Sequence, residues 1–216
     1  RLMIYNIRQR IISEPFPELH KRKNEILNLI DNAPEKEIES YDFGQSSDHQ
    51  SNITVSPISK LDWFQATNFE RAWVKIVKPM ITTRLGTMVE RLGYRGINMH
   101  EIWFQQYKLN SSHDWHIHSY NYSGAYYLEL PDTGEHNTTE LFDGEKVISP
   151  NCKEGDLLIF PSLTFHRAPK ITTHNRKTII SFNFDIRGIQ GQHYDNLKLY
   201  NPMRIDTKDW NDTTTQ

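Results

Sequence analysis

Apolar positions change their period once along the chain, near Gly93. Before it they fall at helical spacing. From Pro17 to about Asp31, Leu19, Ile26, Leu27 and Ile30 lie near a helical repeat. From Asn68 to about Gly93 the repeat returns in Phe69, Ala72, Trp73, Ile76, Val77, Met80, Ile81, Leu85, Met88, Val89 and Leu92. Both stretches predict helices with one face in a core, and Pro79 predicts a kink or a division of the second. The polar, turn-rich segment between Asn32 and Pro57 is long for a structureless loop, and predicts a lid or, in part, a strand.

After Gly93 the texture is that of strands. INMHEIWFQQYKL, HDWHIH, YSGAYYLEL, DLLIFP and KTIISFNFDI are rich in β-branched and aromatic residues. The turn-forming runs NSS, PDTGEHNTT, SPNCKEGD and KITTHN separate them. Many short strands that follow helices predict an antiparallel sandwich or barrel backed by those helices. From about Arg187 onward periodicity is weak, which predicts an arm with a disordered end. No internal repeat is visible.

Composition narrows the function classes. The 216 residues carry 25 basic and 27 acidic side chains, a net charge of −2. That balance argues against nucleic acid as the partner, since binding by phosphate neutralisation needs a basic surplus. A single cysteine, Cys152, excludes an intrachain disulfide framework and a cysteine-rich zinc site. No apolar run approaches the ~18 residues of a membrane span. The opening RLMIYNIRQRIISEPFPELH meets charge and proline too soon for a signal peptide. The expectation is a cytoplasmic globular protein with no membrane partner, a homodimer being left open.

The candidate chemistry lies in histidines. His116 and His118 stand two apart in a strand-like run, so both imidazoles reach the same side while Ile117 faces the other. His166 follows the apolar run ending in Phe160 and Pro161. A barrel can bring a strand pair and a later strand end to one transition ion, which wants neutral imidazoles and open positions if it is catalytic. His113 is i−3 from His116 and is expected at the surface, or lining the co-substrate pocket if the strand begins late; His174 is expected in a solvent-exposed turn, Cys152 is a bystander, and Trp115 and Tyr122 are packing residues.

Residues from about Trp103 to Asp185 resemble the double-stranded β-helix core of iron(II)- and 2-oxoglutarate-dependent oxygenases. WHIHSYNYSGAYYLELP is similar to the segment carrying the first metal histidine, and Gly155–Pro161 to the strand before the distal one, His166. Arg176 lies ten residues past His166, where the family places the basic partner of the far carboxylate of 2-oxoglutarate. Arg176-Lys177-Thr178 resembles an arginine–x–serine motif, and as i and i+2 its fork and hydroxyl would address one carboxylate. Tyr107, nine residues before His116, matches a tyrosine that lines the co-substrate pocket in prolyl-hydroxylase-like members. Ser123-Gly124-Ala125-Tyr126-Tyr127-Leu128 is similar to a strand of uncharacterised bacterial and phage oxygenases.

The resemblance implies a mainly β fold with α: a jelly-roll, cupin-like double-stranded β-helix over 96–186, backed by a mostly helical part over 1–95 and followed by an arm over 187–216, all one oxygenase domain. The implied cofactors are Fe(II) held by His116, His118 and His166 and 2-oxoglutarate held by Arg176, Thr178 and Tyr107. O2 is the co-substrate, and the substrate a peptide or protein side chain or a small metabolite, hydroxylated at an unactivated carbon. Segments 34–58 and 132–139, the latter with Gly134, would supply lids.

One departure stands out. The family's triad is His-x-Asp/Glu…His, and His118 occupies the acidic position. Three readings follow: a three-histidine site; a carboxylate from elsewhere, with Asp114 ahead of Glu129, Glu140 and Asp143; or a vacant, water-filled position. The departure also admits a cupin-type three-histidine dioxygenase that does not use 2-oxoglutarate, and a non-catalytic binding module on the same fold. Ser181, Asn183 and Asp185 lie on the strand face opposite Arg176 and Thr178 and are left out of the expected site.

Overall fold

The structure, a computed structural model, describes residues 11–40, 58–131 and 138–190. Most of the 34–58 stretch, residues 132–137 of the second expected lid and the end of the expected arm lie outside them. The elements run β1 (Ile12–Pro15), α1 (Pro17–His20), α2 (Lys23–Asp31), β2 (Glu39–Ser40), β3 (Lys60–Leu61), α3 (Ala72–Arg91) and β4 (Ile97–Tyr107). They continue with β5 (His113–His116), β6 (Tyr122–Glu129), β7 (Glu140–Phe142), β8 (Val147–Ile148), β9 (Asp156–Pro161), β10 (His166–Ala168) and β11 (Lys177–Ile186). All pairings are antiparallel. A large sheet has the order β1-β9-β6-β11-β4-β3-β2 and a small one β5-β10-β7-β8. This is the helix-backed antiparallel barrel that the strand pattern predicts, in the jelly-roll form that the resemblance implies.

Two expectations change in detail, and a third is met in part. The helix read from Asn68 starts at Ala72, and it runs unbroken through Pro79 to Arg91. Pro79 sits on the solvent side, where water can serve the carbonyl its missing N–H leaves unbonded. The first helix is split at Lys21 and Arg22 into α1 and α2. The 32–57 segment holds the short strand β2, which pairs with β3 at the edge of the large sheet.

The central strands are buried on both faces, because helices cover one side of the large sheet and the small sheet the other. Strand parity sorts the two cores. Ile102, Phe104, Tyr126, Leu128, Leu157, Ile159, Ile180, Phe182 and Phe184 pack with α2 and α3. Tyr107, Ala125, Tyr127, Leu158, Phe160 and Ile179 face the small sheet with Leu141, Ala168 and Ile171. From Glu101 to Tyr107 of β4, from Tyr122 to Leu128 of β6 and along β11 even residues therefore face the helices and odd ones the barrel; register shifts reverse the parity at Met99 and Glu129, which lie on the helix side. Gly124 is required at its position: a Cβ there would meet the Phe182 ring at 2.3 Å and the Leu158 carbonyl at 2.6 Å.

A buried polar tie anchors the helix layer. Asp62 accepts from Arg71, from the Trp73 indole (3.1 Å) and from the Phe104 backbone N–H (2.8 Å), while Arg71 also donates to the Ile102 carbonyl. Burial, opposed by Arg71, raises the Asp62 carboxyl to about 6. No helix among the described residues is long and apolar enough to cross a membrane.

Candidate metal centre

Register brings the first two histidines together. His116 of β5 lies directly across from His166 of β10, and their rings are 4.1 Å apart. His118 follows the end of β5, where its backbone N–H donates to the Ser162 carbonyl (3.0 Å). Its ring lies 5.0 Å from each of the other two. One ring nitrogen from each residue lies within 4.8 Å of the others.

Two of the three rings are locked. His116 Nδ1–H donates to the Asp114 carbonyl (2.7 Å), and His166 Nδ1–H to that of Thr164 (2.9 Å). A carbonyl can only accept, so each proton sits on Nδ1 and each Nε2 keeps its lone pair for a metal. No such bond orients the His118 ring among the described residues. Burial pushes all three below the usual histidine value, His118 to about 4 and His166 to about 3. Neutral imidazole is the ligating form, so the cluster suits a first-row transition ion with open positions.

The same cavity is lined by Trp103, Gln105, Tyr107, His113, Ser181 and Asn183. His113 is a correction. The stretch 113–116 on β5 spans the same rung distance as 166–168 on β10, so β5 carries one extra residue there. That bulge turns His113 to the side of His116, its ring 4.0 Å away, and burial pushes it to about 3.

Arg176 and Thr178 are not brought to the cavity. Arg176 donates to Glu129 (2.8 and 3.1 Å) and to Asp31 at the end of α2 (2.9 and 3.1 Å). Thr178 donates to the same Glu129. The i, i+2 pairing holds, but on the helix side. The opposite face, expected to be outside the site, supplies Ser181 and Asn183 to the cavity and carries Lys177. The signal was present: Ile180, Phe182 and Phe184 are the large apolar positions of β11, and they must face the main core.

Lys177 is fully buried. Its Nζ lies 5.2 Å from the centroid of the Tyr107 ring and has no hydrogen-bond partner among the described residues. Burial, only partly opposed by Glu140, pushes the amine down to about 7. Tyr107 itself donates to Gln105 Oε1 (3.0 Å), which Ser181 also serves (3.3 Å). At the other end of the cavity Ser123 donates to Asn183 (2.7 Å), whose amide donates to Glu101 (2.7 Å).

The alternative carboxylates are placed elsewhere. Asp114 is exposed and accepts from the Trp115 N–H (2.8 Å); Glu140 pairs with Arg167 (2.6 Å); Asp143 caps the turn to Lys146. His174 is exposed as expected, whereas Cys152 is buried, which raises its thiol to about 11.

Residues 101–183 match the family model described as "Putative 2OG-Fe(II) oxygenase". No curated protein sequence matches the chain. Among solved structures, a 2OG-Fe(II) oxygenase family oxidoreductase from Burkholderia pseudomallei superposes with TM-score 0.57 at 11% identity, covering 84% of this chain and 88% of that one. A prolyl hydroxylase from Trichoplax adhaerens, solved with a peptide fragment of hypoxia inducible factor, gives 0.56 at 15% identity, covering 81% and 82%. AviO1 from Streptomyces viridochromogenes gives 0.58 at 9%, covering 82% and 90%. At these identities the likeness is one of fold, and the family match over the barrel agrees with it. Residues 101–183 thus resemble the 2OG-Fe(II) oxygenases in sequence, and the chain shares the fold of these solved structures.

Proposed function

We propose that the chain is a metal-dependent oxygenase whose ion is held by His116, His118 and His166. The observation that carries this reading is the donor set: three neutral imidazoles within 4.8 Å, two of them locked with Nε2 free. A bound Fe(II) would supply O2 activation; the chain supplies the ligands, a cavity beside them and the placement of the organic partner.

The second element of the proposal is a carboxylate at Lys177. A buried amine without a partner is costly, and an incoming carboxylate relieves that cost. Two readings of the acid differ in a testable way. The absence of a protein carboxylate from the histidine cluster among the described residues favours a three-histidine dioxygenase in which the acid is the substrate itself. The superfamily match favours 2-oxoglutarate, with Lys177 taking the role expected of Arg176 and with Tyr107 beside it.

Anaerobic titration of the Fe(II) protein with 2-oxoglutarate decides. A visible charge-transfer band that saturates in the wild type and is lost in Lys177→Met supports the 2-oxoglutarate reading. Iron bound with no band supports the acid as substrate. Failure to bind iron removes the metal centre altogether.

A further inference from the structure

We propose that Trp103 and Glu101 form a subsite for an amide group, so that the molecule oxidised is a peptide or another secondary amide. The proposal rests on the metal-centre reading above. Both residues lie on β4, two apart, on the face turned to the barrel. The Trp103 indole lines the cavity with its ring 5.8 Å from that of His118. Its Nε1–H is buried and has no hydrogen-bond partner among the described residues. Buried donors are rarely left unpaired, and an indole N–H can only donate, so the missing partner is an oxygen acceptor from a ligand.

Glu101 decides what kind of acceptor. Its Oε2 is held by the Asn183 amide at 2.7 Å and the carboxylate also accepts from the Tyr120 hydroxyl, yet it is only partly buried and keeps lone pairs to spare. It repels an anion at this end of the cavity and accepts a further N–H. A carboxylate would satisfy Trp103 but face the charge of Glu101. An ammonium would satisfy Glu101 and leave Trp103 unpaired. An amide offers a carbonyl to one and an N–H to the other.

This subsite is distinct from the one at Lys177. Lys177 lies across from Tyr107, and Ser181 across from Trp103. Four residues of strand span about 13 Å. A small acid anchored at Lys177 therefore leaves the Trp103 donor for a second molecule.

The test uses the full chain loaded with Zn(II), which is diamagnetic, and reads the indole N–H resonances of its five tryptophans by 15N NMR. The Trp103 resonance is identified by its loss in Trp103→Phe, which keeps an aromatic ring beside His118. N-acetylglycine N-methylamide should move that resonance saturably, while acetate, methylammonium and 2-oxoglutarate at equal concentration should not. Trp103→Phe should weaken the amide about fivefold, as expected for one neutral hydrogen bond, with Zn(II) affinity unchanged. Glu101→Gln, in which Trp103 is intact, should let acetate move the resonance as well. A resonance that ignores the amide, or that follows acetate or 2-oxoglutarate in the wild type, overturns the subsite while the metal centre stands. Wild-type protein that takes up no Zn(II) overturns the metal centre and the subsite with it.

Discussion

The two faces of β11 and β4 carry polar groups in opposite states. On the helix side Arg176, Thr178, Glu129, Asp31 and Gln106 satisfy one another through hydrogen bonds and ion pairs. On the barrel side Lys177 and Trp103, deeper in the protein, leave Nζ and Nε1 without partners among the described residues. A buried polar group that is paired within the chain holds the fold together. One left unpaired beside a cluster of neutral histidines reads as a group made for a ligand. The contrast separates structure from function better than residue type does: the arginine, chemically the better carboxylate fork, belongs to the scaffold, and the lysine faces the barrel beside the cavity-lining Tyr107.

The largest effect expected from breaking this contrast falls on the scaffold. Asp62→Ala strands the Arg71 guanidinium and removes the acceptor of the Trp73 and Phe104 N–H groups. The expected loss is about 3–5 kcal/mol of folding stability, measured by urea unfolding. A loss below about 1 kcal/mol would mean that water enters and replaces the carboxylate.

Next come the histidines, where locked and unlocked ligands should part. His166→Ala removes a ring held by its own Nδ1 bond, and is expected to weaken Fe(II) or Zn(II) binding by ~100-fold or more, since even outer partners of ligands are worth 10–100-fold. His118→Ala should do less, about tenfold, because nothing described orients that ring beforehand. Calorimetry on the two variants tests the order. Equal losses would show that the three rings act as one preorganised set.

Much of this was legible in the sequence. The change from helical to alternating periods gave the helices and the five long strands, and the two-residue spacing put His116 and His118 together. What escaped has physical causes. β7, β8 and β10 are two or three residues long, too short to show a period. The bulge that turns His113 inward depends on how β5 meets β10, a property of two distant segments. The i, i+2 logic for Arg176 and Thr178 was sound as parity, but parity alone does not say which face meets the helices. The bulky Ile180, Phe182 and Phe184 do, and they put Lys177, Ser181 and Asn183 on the other side.

Titration of Lys177 sharpens the contrast further. Burial lowers its amine from the ordinary 10.5 to about 7. Between about pH 7 and 10 the unfolded chain then holds a proton that the folded, ligand-free chain lacks. Stability should rise with pH across that window, and the deficit should be fully present below it. The contribution is at most ~1.4 kcal/mol per pH unit. Lys177→Met should remove that part of the slope, and a carboxylate bound at the amine should flatten it by keeping the charge. Unfolding at pH 7, 8 and 9 with and without 2-oxoglutarate reads both. Equal slopes in wild type and variant would mean that the amine finds an acceptor within the chain.

The smallest effect is expected at Arg176, where the family resemblance placed the largest one on co-substrate binding. The guanidinium bridges Glu129 and Asp31 at a partly exposed site, and solvent screening leaves such pairs worth about 1 kcal/mol or less. Arg176→Ala leaves Glu129 its bond from Thr178 and Asp31 its bond from Gln106, so neither acid is left bare. Stability should fall by that small amount, more at low salt than at high salt. Binding of 2-oxoglutarate or of any acid at Lys177 should be unchanged, because Arg176 lies on the far side of the sheet from the cavity. The same titration that follows Lys177→Met checks this. A loss of acid binding in Arg176→Ala as large as in Lys177→Met would mean that β11 can present its other face, and the division between scaffold and cavity would have to be redrawn one residue along the strand.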